Sequence, residues 1–543
     1  MSLNWLDRIG ESNPQLFREL KGRLQNRNIA IAVALSLLGQ LSLFLYGELR
    51  LSPSQQIYSE EHWQPKYNFL QLFTSLSFLI SFALLVLGSY LLISDLAREE
   101  RRATLNFLRL TPQSPQSILI GKMLGVPILL YLAVLLAVPL HLWLGLSAEI
   151  PLVKILGFYS VLVASCAFFY SAALLFSLVS SWFSGLQAWL GSGAVLAFLF
   201  ITNNKGINHS PADWLNLFCP SVILRYLVNR TESVYEYYQN FSVSHIDTQQ
   251  WEWFNLPLSN AFGSAVIFML FNYAIGTYWI WQALNRRFHN PNASLISKGK
   301  SYLLTACMAQ VSLGFALPSW KDWEQGYSLQ LFDNFLSLVS LNLLLLVSLI
   351  ATLSPHRQAL LDWTRYRREK ASALIQDLLW KDKSPAVVAI AINLAIACIP
   401  LATWILIWPL GASDYSTIQL LSGLVLTLNL VLTYATLTQL MLLMKSPLRA
   451  VWAAGTVVAA NLLPPLILSL LPISPENHWG SLWLLSTSPW DALKYTSPTL
   501  VVQVILFEWS ILGVLSWQLT RKLQRAGESA TKALLAGRPA LPN

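Results

Sequence analysis

The chain has 543 residues, of which 55% are hydrophobic and only 12% charged, with a mean hydropathy of +0.49 and a formal charge of +9. A water-soluble protein carries about 25% charged residues to cover its surface, so half that share leaves much of this surface for lipid. Disorder, collagen-like repeats and a disulfide-stapled secreted fold are excluded by the same figures, and Cys166, Cys219, Cys307 and Cys398 fall in separate segments with no metal-ligand spacing.

The first element predicted is a helix over 13–27. Asn13 is a cap-like residue, Pro14 suits the first helical position, and Leu16, Phe17, Leu20 and Leu24 share one face with Arg18 and Lys21 outside it. Such a helix is expected to lie in the headgroup layer. Crossing roughly 30 Å of hydrocarbon takes about 20 apolar residues, and twelve runs are read as spans: 29–46, 70–94, 123–146, 153–179, 184–202, 261–284, 301–318, 332–353, 386–410, 416–444, 450–472 and 500–519. The first run follows 28 mostly polar residues and has no small-residue cleavage site after it, so it reads as a span and not a leader. With the N-terminus in the cytoplasm, 28 of the 36 Lys and Arg residues fall on the inside, which places both termini there. Topology then accounts for the positive charge, and no nucleic-acid role is expected.

Between the second and third spans, 95–112 reads as a short helix with a charged first half and an apolar cluster of Leu105, Phe107, Leu108 and Leu110. Thr111–Pro112 stops it, and Ser114–Pro115 caps the helix that re-enters the bilayer at Gly121–Lys122.

The order of these features recurs. Ser114–Pro115 returns as Ser384–Pro385, 184–195 resembles 446–457, WLNLFCPSVILRY (214–226) parallels WLLSTSPWDALKY (483–495), and LFNYAIGTYWIWQ (270–282) parallels LFEWSILGVLSWQ (506–518). The expected architecture is therefore all-α: a polytopic membrane protein of about 12 transmembrane helices, arranged as two six-span parallel repeats, 1–300 and 301–543. The first copy carries extra residues around 229–260.

The stretch REERRATLNFLRLTPQSPQSILIGKMLG (98–125) resembles the segment between the second and third spans of type-2, exporter-like permeases of ATP-binding-cassette (ABC) transporters. Glu99, Thr104, Leu105, Leu108, Thr111, Pro112, Ser114, Pro115, Gly121 and Lys122 occupy that family's pattern positions, while Ala103 stands where the family prefers Gly and Arg101 where a second acidic residue is usual. The second half keeps an elbow at about 355–385 and its Ser-Pro exit but loses the Thr-Leu and Thr-Pro core. The resemblance implies a permease subunit of a bacterial plasma membrane, not itself an enzyme, on which a cytoplasmic ATPase subunit docks. It implies contacts through Leu105, Phe107 and Leu108, with Glu99, Arg101 and Arg102 pairing across the joint. ATP and Mg would be held by that partner and no cofactor by this chain. The one GK[ST] triplet, Gly299–Lys300–Ser301, has Ser294 where the phosphate loop requires Gly.

Within the spans, Glu508 is the clearest functional candidate, and Asn272 aligns with it. His141, Asn393, Asn429, Gln439 and Asn461 read as partners between helices. Outside, the repeated motif carrying Trp214, Pro220 and Tyr226, and again Trp483, Pro489 and Tyr495, is expected to form a short helix-turn able to gate an exit. Two other readings are weighed: an integral membrane enzyme acting on lipid-linked sugars, which would need a carboxylate such as Asp247 or Asp491, and an ion-coupled secondary transporter, which lacks its row of paired acidic and histidine residues.

Overall fold

The computed structural model describes the chain between residues 8 and 526 apart from 51–65, 205–209, 229–251, 318–327, 370–373, 408–414 and a few isolated positions. Most of the predicted insertion around 229–260 therefore lies outside the described residues. Two compact units divide the chain, residues 1–208 with 213–291 and residues 209–212 with 292–543.

The first unit opens with α1 (Pro14–Arg23), whose Asn13 side chain accepts from the Leu16 N–H, as the Asn-Pro start predicts. The first span is α2 (Asn26–Arg50). The second is a continuous rod of α3 (Lys66–Phe82), a π-helical turn at Ala83–Leu87, and α4 (Gly88–Arg101). In the π turn the Leu84 carbonyl accepts from the Tyr170 hydroxyl at 2.8 Å as well as from the Gly88 N–H. Gly88 makes this approach possible, since a Cβ there would lie 2.2 Å from the same hydroxyl oxygen. The short α5 (Thr104–Arg109) follows, then α6 (Pro115–Gly125), capped by Ser114. A break at Val126–Pro127 separates α6 from α7 (Ile128–Ser147), so the predicted third span is two helices. The unit is completed by α8 (Leu152–Val179), α9 (Gln187–Asn204), a 3₁₀ segment (Pro211–Phe218), α10 (Val222–Val228), a two-residue antiparallel hairpin of β1 (Glu252–Trp253) and β2 (Leu256–Pro257), and α11 (Phe262–His289).

The second unit comprises α12 (Lys298–Ala316), α13 (Ser328–Leu353), α14 (Arg357–Glu369), α15 (Leu374–Trp380), α16 (Val387–Ile407), α17 (Thr417–Leu442) and α18 (Arg449–Leu470). A 3₁₀ segment (Gly480–Leu485), α19 (Trp490–Tyr495) and α20 (Pro498–Ala526) close it. In both units the Trp-Leu-x-x-x-[Cys/Ser]-Pro motif folds as a 3₁₀ segment, a proline turn and a short helix before a long helix.

Among the described residues ten helices are long and apolar enough to cross a membrane, and the chain is an all-α integral membrane protein. The predicted spans 184–202 and 301–318 form the helices α9 and α12, which are not among those ten.

Candidate functional site

The elbow between α4 and α6 is built where charge, glycine and leucine meet. α1 lies against α6 because Gly121 and Gly125, one turn apart, leave room. A Cβ on Gly121 would sit 2.8 Å from Asn13 Oδ1, and one on Gly125 only 2.5 Å from the Glu19 Cβ. Asn13 Nδ2 donates across this seam to the Ser117 carbonyl at 2.8 Å. The face of α1 that docks is polar as well as apolar: Gln15 and Glu19 are buried together with Leu20, and Gln15 Nε2 donates to Glu19 Oε1. Through this face α1, the helix expected to lie in the headgroup layer, packs against α6 of its own unit.

At the centre stands Lys122, fully buried, with Nζ 2.7 Å from Asp95 Oδ2, 2.8 Å from Glu99 Oε2 and 3.6 Å from Glu19 Oε1. Arg23 bridges Asp95 at 2.7 Å and Glu19 at 3.1 Å, and Arg18 pairs with Glu99 and Glu19. The three carboxylates converge to within 4.8 Å, the geometry a metal ion would use. Three basic side chains already balance them, with the Lys122 ammonium where a cation would stand.

The elbow itself turns on Ala103, whose φ of 58° is left-handed, the conformation glycine adopts at least cost. α5 then points Leu105 and Leu108 inward, 1% and 8% exposed, among Leu92, Leu96, Ile118, Leu178 and Phe288. Phe107 and Leu110 point outward, 73% and 84% exposed. Leu105 and Leu108 therefore hold the elbow to its own unit, and the face open to a partner is carried by Phe107 and Leu110. Glu99 likewise faces Lys122 and Arg18, while Arg101, Arg102 and Thr104 are exposed. Thr104 Oγ1 donates to the Glu99 carbonyl, and Thr111 Oγ1 donates to the Leu108 carbonyl at 2.7 Å, closing the helix before the exposed Pro112. The far end of α5 is held by Arg109, which lies over the Phe288 ring of α11, 5.8 Å from its centroid. Burial lowers the Arg109 guanidinium below its ordinary range against the pull of Glu100.

No protein-family model, curated protein or solved structure matches this chain.

The second elbow is tied differently. Lys298, at the start of α12, is buried and gives its three N–H bonds to Ser384 Oγ (2.6 Å), the Leu378 carbonyl (2.8 Å) and the Pro385 carbonyl (3.0 Å). Burial lowers its ammonium to about 8, with Asp382 and Asp377 pulling the other way. Asp377, also buried, pairs with Lys381 and accepts from Trp363 Nε1.

The residues of the repeated Trp-Leu motif are bound down. Trp214 Nε1 donates to Asn272 Oδ1 at 2.8 Å, and Phe218 stacks on Phe168. Pro220 sits in the turn before α10, Arg225 donates to the Asn203 carbonyl, and the Tyr226 carbonyl accepts from Lys154. Burial brings the Arg225 guanidinium down to about 10. In the second unit Trp483 donates to the Ile473 carbonyl, Pro489 precedes α19, and the Tyr495 hydroxyl donates to Glu476. Asn272 and Glu508 have different partners, Trp214 for the first and Asn429 for the second.

Sequence reasoning missed Glu19, Arg18, Arg23 and Asp95 as one cluster and Lys298 as a tie. The signal present was the isolated charge itself, Asp95 and Lys122 each flanking a long apolar run, where an ionised group needs a partner.

Proposed function

We propose that the chain is the permease subunit of an ABC transporter in a bacterial plasma membrane, with both termini in the cytoplasm, exporting a substrate under the drive of a separate ATPase subunit. The observation that carries this reading is the elbow: a short helix with Phe107 and Leu110 bare on one side and Leu105 and Leu108 locked into the core on the other. Two large apolar side chains at the tip of a charged loop are unfavourable in water and call for a partner surface. Arg101 and Arg102, exposed beside them, favour one with an acidic rim.

The elbow's attachments suit a lever. Ion pairs join it to α1 and α6, leucines to α4 and α8, and Arg109 with Phe288 to α11. A push on Phe107 would move these helix ends as one body, because packed cores shift between discrete arrangements rather than deform. ATP and Mg belong to the partner, since the chain's single GK[ST] triplet lacks the phosphate-loop glycine.

The test is purification of the full chain with its native partners. An ATPase subunit is expected to accompany it and to turn over ATP in lipid. Phe107→Asp combined with Leu110→Asp is expected to abolish that association while insertion and thermal stability are kept, because neither side chain is in the core. An ATPase-free preparation, or a complex that survives both substitutions, overturns the reading.

A further inference from the structure

We propose that the end of α20 carrying Arg521, Lys522 and Arg525, with α14 packed beside it, is a binding surface for anionic phospholipid headgroups. The 29 residues of α20 extend about 43 Å at 1.5 Å per residue, roughly 13 Å more than the hydrocarbon they cross. The surplus falls where the charge is. Glu508 is the one ionisable side chain between Pro498 and Thr520, and the three basic residues follow directly.

Trp517, 60% exposed, marks the transition. It stands one turn before Arg521, whose guanidinium lies over its ring, 5.2 Å from the centroid. Exposed tryptophan near the end of a span sits at headgroup level, and the ring holds the cation there. Arg525, one turn further on, shares this face. Beside it α14 turns Leu360 and Trp363 inward and leaves Arg365 exposed, while its exposed Asp362 accepts from Gln358 Nε2. Among the described residues Arg365, Arg521, Lys522 and Arg525 form no ion pair.

The first unit answers its charge internally. There α11 ends on Arg286, Arg287 and His289, and Arg287 is partly buried in the field of Glu100. At the end of α20 no described carboxylate takes that part, and the complement of four exposed cations lies outside the chain. The end of a span touches the bilayer of necessity, so phospholipid phosphates are the anions within reach. Basic clusters beside a span draw anionic lipid to them, and Arg521 and Arg525 each offer a phosphate two parallel N–H donors.

This inference needs neither an ATPase nor an assignment of sides, and a failure of the transporter reading leaves it standing. Its test titrates phosphatidylglycerol into the full chain in neutral detergent micelles and follows hydrogen exchange across Trp517–Arg525 and Arg357–Glu369. Saturable slowing is expected, weakened by salt and absent with phosphatidylcholine or inorganic phosphate. Arg521→Gln, Lys522→Gln and Arg525→Gln together are expected to raise the lipid concentration required at least about tenfold, whereas Arg521→Lys with Arg525→Lys keeps the preference for the anionic lipid. Should the neutralised variant fail to fold, a photoreactive phosphatidylglycerol is expected to label the last turns of wild-type α20, with competition from unlabelled phosphatidylglycerol and none from phosphatidylcholine. Equal slowing by phosphatidylcholine or inorganic phosphate, an unchanged titration in the neutralised variant, or labelling that phosphatidylcholine competes away equally overturns the proposal.

Discussion

The Lys122 ammonium stands 2.7 Å from the Asp95 carboxylate with no part of the lysine exposed. The pair joins the end of the second membrane rod to the helix that begins the third, and Arg23 and Glu19 of α1 close around it. Buried ion pairs add little over an apolar replacement, but losing one partner strands the other's charge. Lys122→Met is therefore expected to lower stability by about 3 kcal/mol, read as the melting temperature of the purified chain in detergent. Adding Asp95→Asn should recover part of the loss, since one stranded charge is then removed.

Gly125 and Gly22 make opposite predictions from the same residue type. A Cβ on Gly125 would strike Glu19, whereas nothing lies within 4 Å of one on Gly22. Gly125→Ala is expected to lift α1 away from α6, raising hydrogen exchange across Pro14–Arg23. Gly22→Ala is expected to slow that exchange, because alanine favours the helix by up to about 1 kcal/mol.

Ala103 holds a left-handed φ of 58° at the corner of the elbow. A residue with a Cβ adopts that conformation at a cost of about 1 kcal/mol, which glycine escapes. Ala103→Gly is expected to raise the melting temperature slightly and Ala103→Val to lower it. Equal melting of all three proteins would mean that the corner carries no strain.

The sequence made the helices and the elbow's punctuation legible, because Asn13–Pro14, Thr111–Pro112 and Ser114–Pro115 act on their own backbone within one turn. It did not reveal which elbow leucines face inward. Leu105, Phe107, Leu108 and Leu110 are equally apolar, and the two faces are sorted by tertiary packing against Leu92, Leu96, Ile118, Leu178 and Phe288 of other helices. Glu19 and Lys122 are likewise joined across a separation that no local pattern reports. The requirement at Ala103 was visible only as a departure from the family's glycine. The physical reason, a positive φ, had to come from the backbone itself.

Lys298 gives a pH dependence with a definite sign. Burial lowers its folded-state value to about 8, below the 10.5 of an exposed lysine. Below pH 8 the ammonium is charged in both states, and the folded chain bears the full desolvation penalty. Between pH 8 and 10.5 the unfolded chain binds the additional proton, so this residue's contribution to stability rises with pH, by about 3 kcal/mol over the window. Lys298→Met, which has no proton to lose, removes this term. The melting temperature of the wild type relative to Lys298→Met should therefore climb from pH 7.5 to 10 and be flat between pH 6 and 7. Above pH 8 the neutral amine keeps two N–H bonds for its three acceptors at Ser384, Leu378 and Pro385. The tie to the second elbow is then expected to loosen locally even as global stability rises, seen as faster hydrogen exchange in Leu374–Trp380 than in Lys298–Ala316 once the pH dependence of intrinsic exchange is divided out. A relative melting temperature that falls over the same window would show that Lys298 remains charged through it.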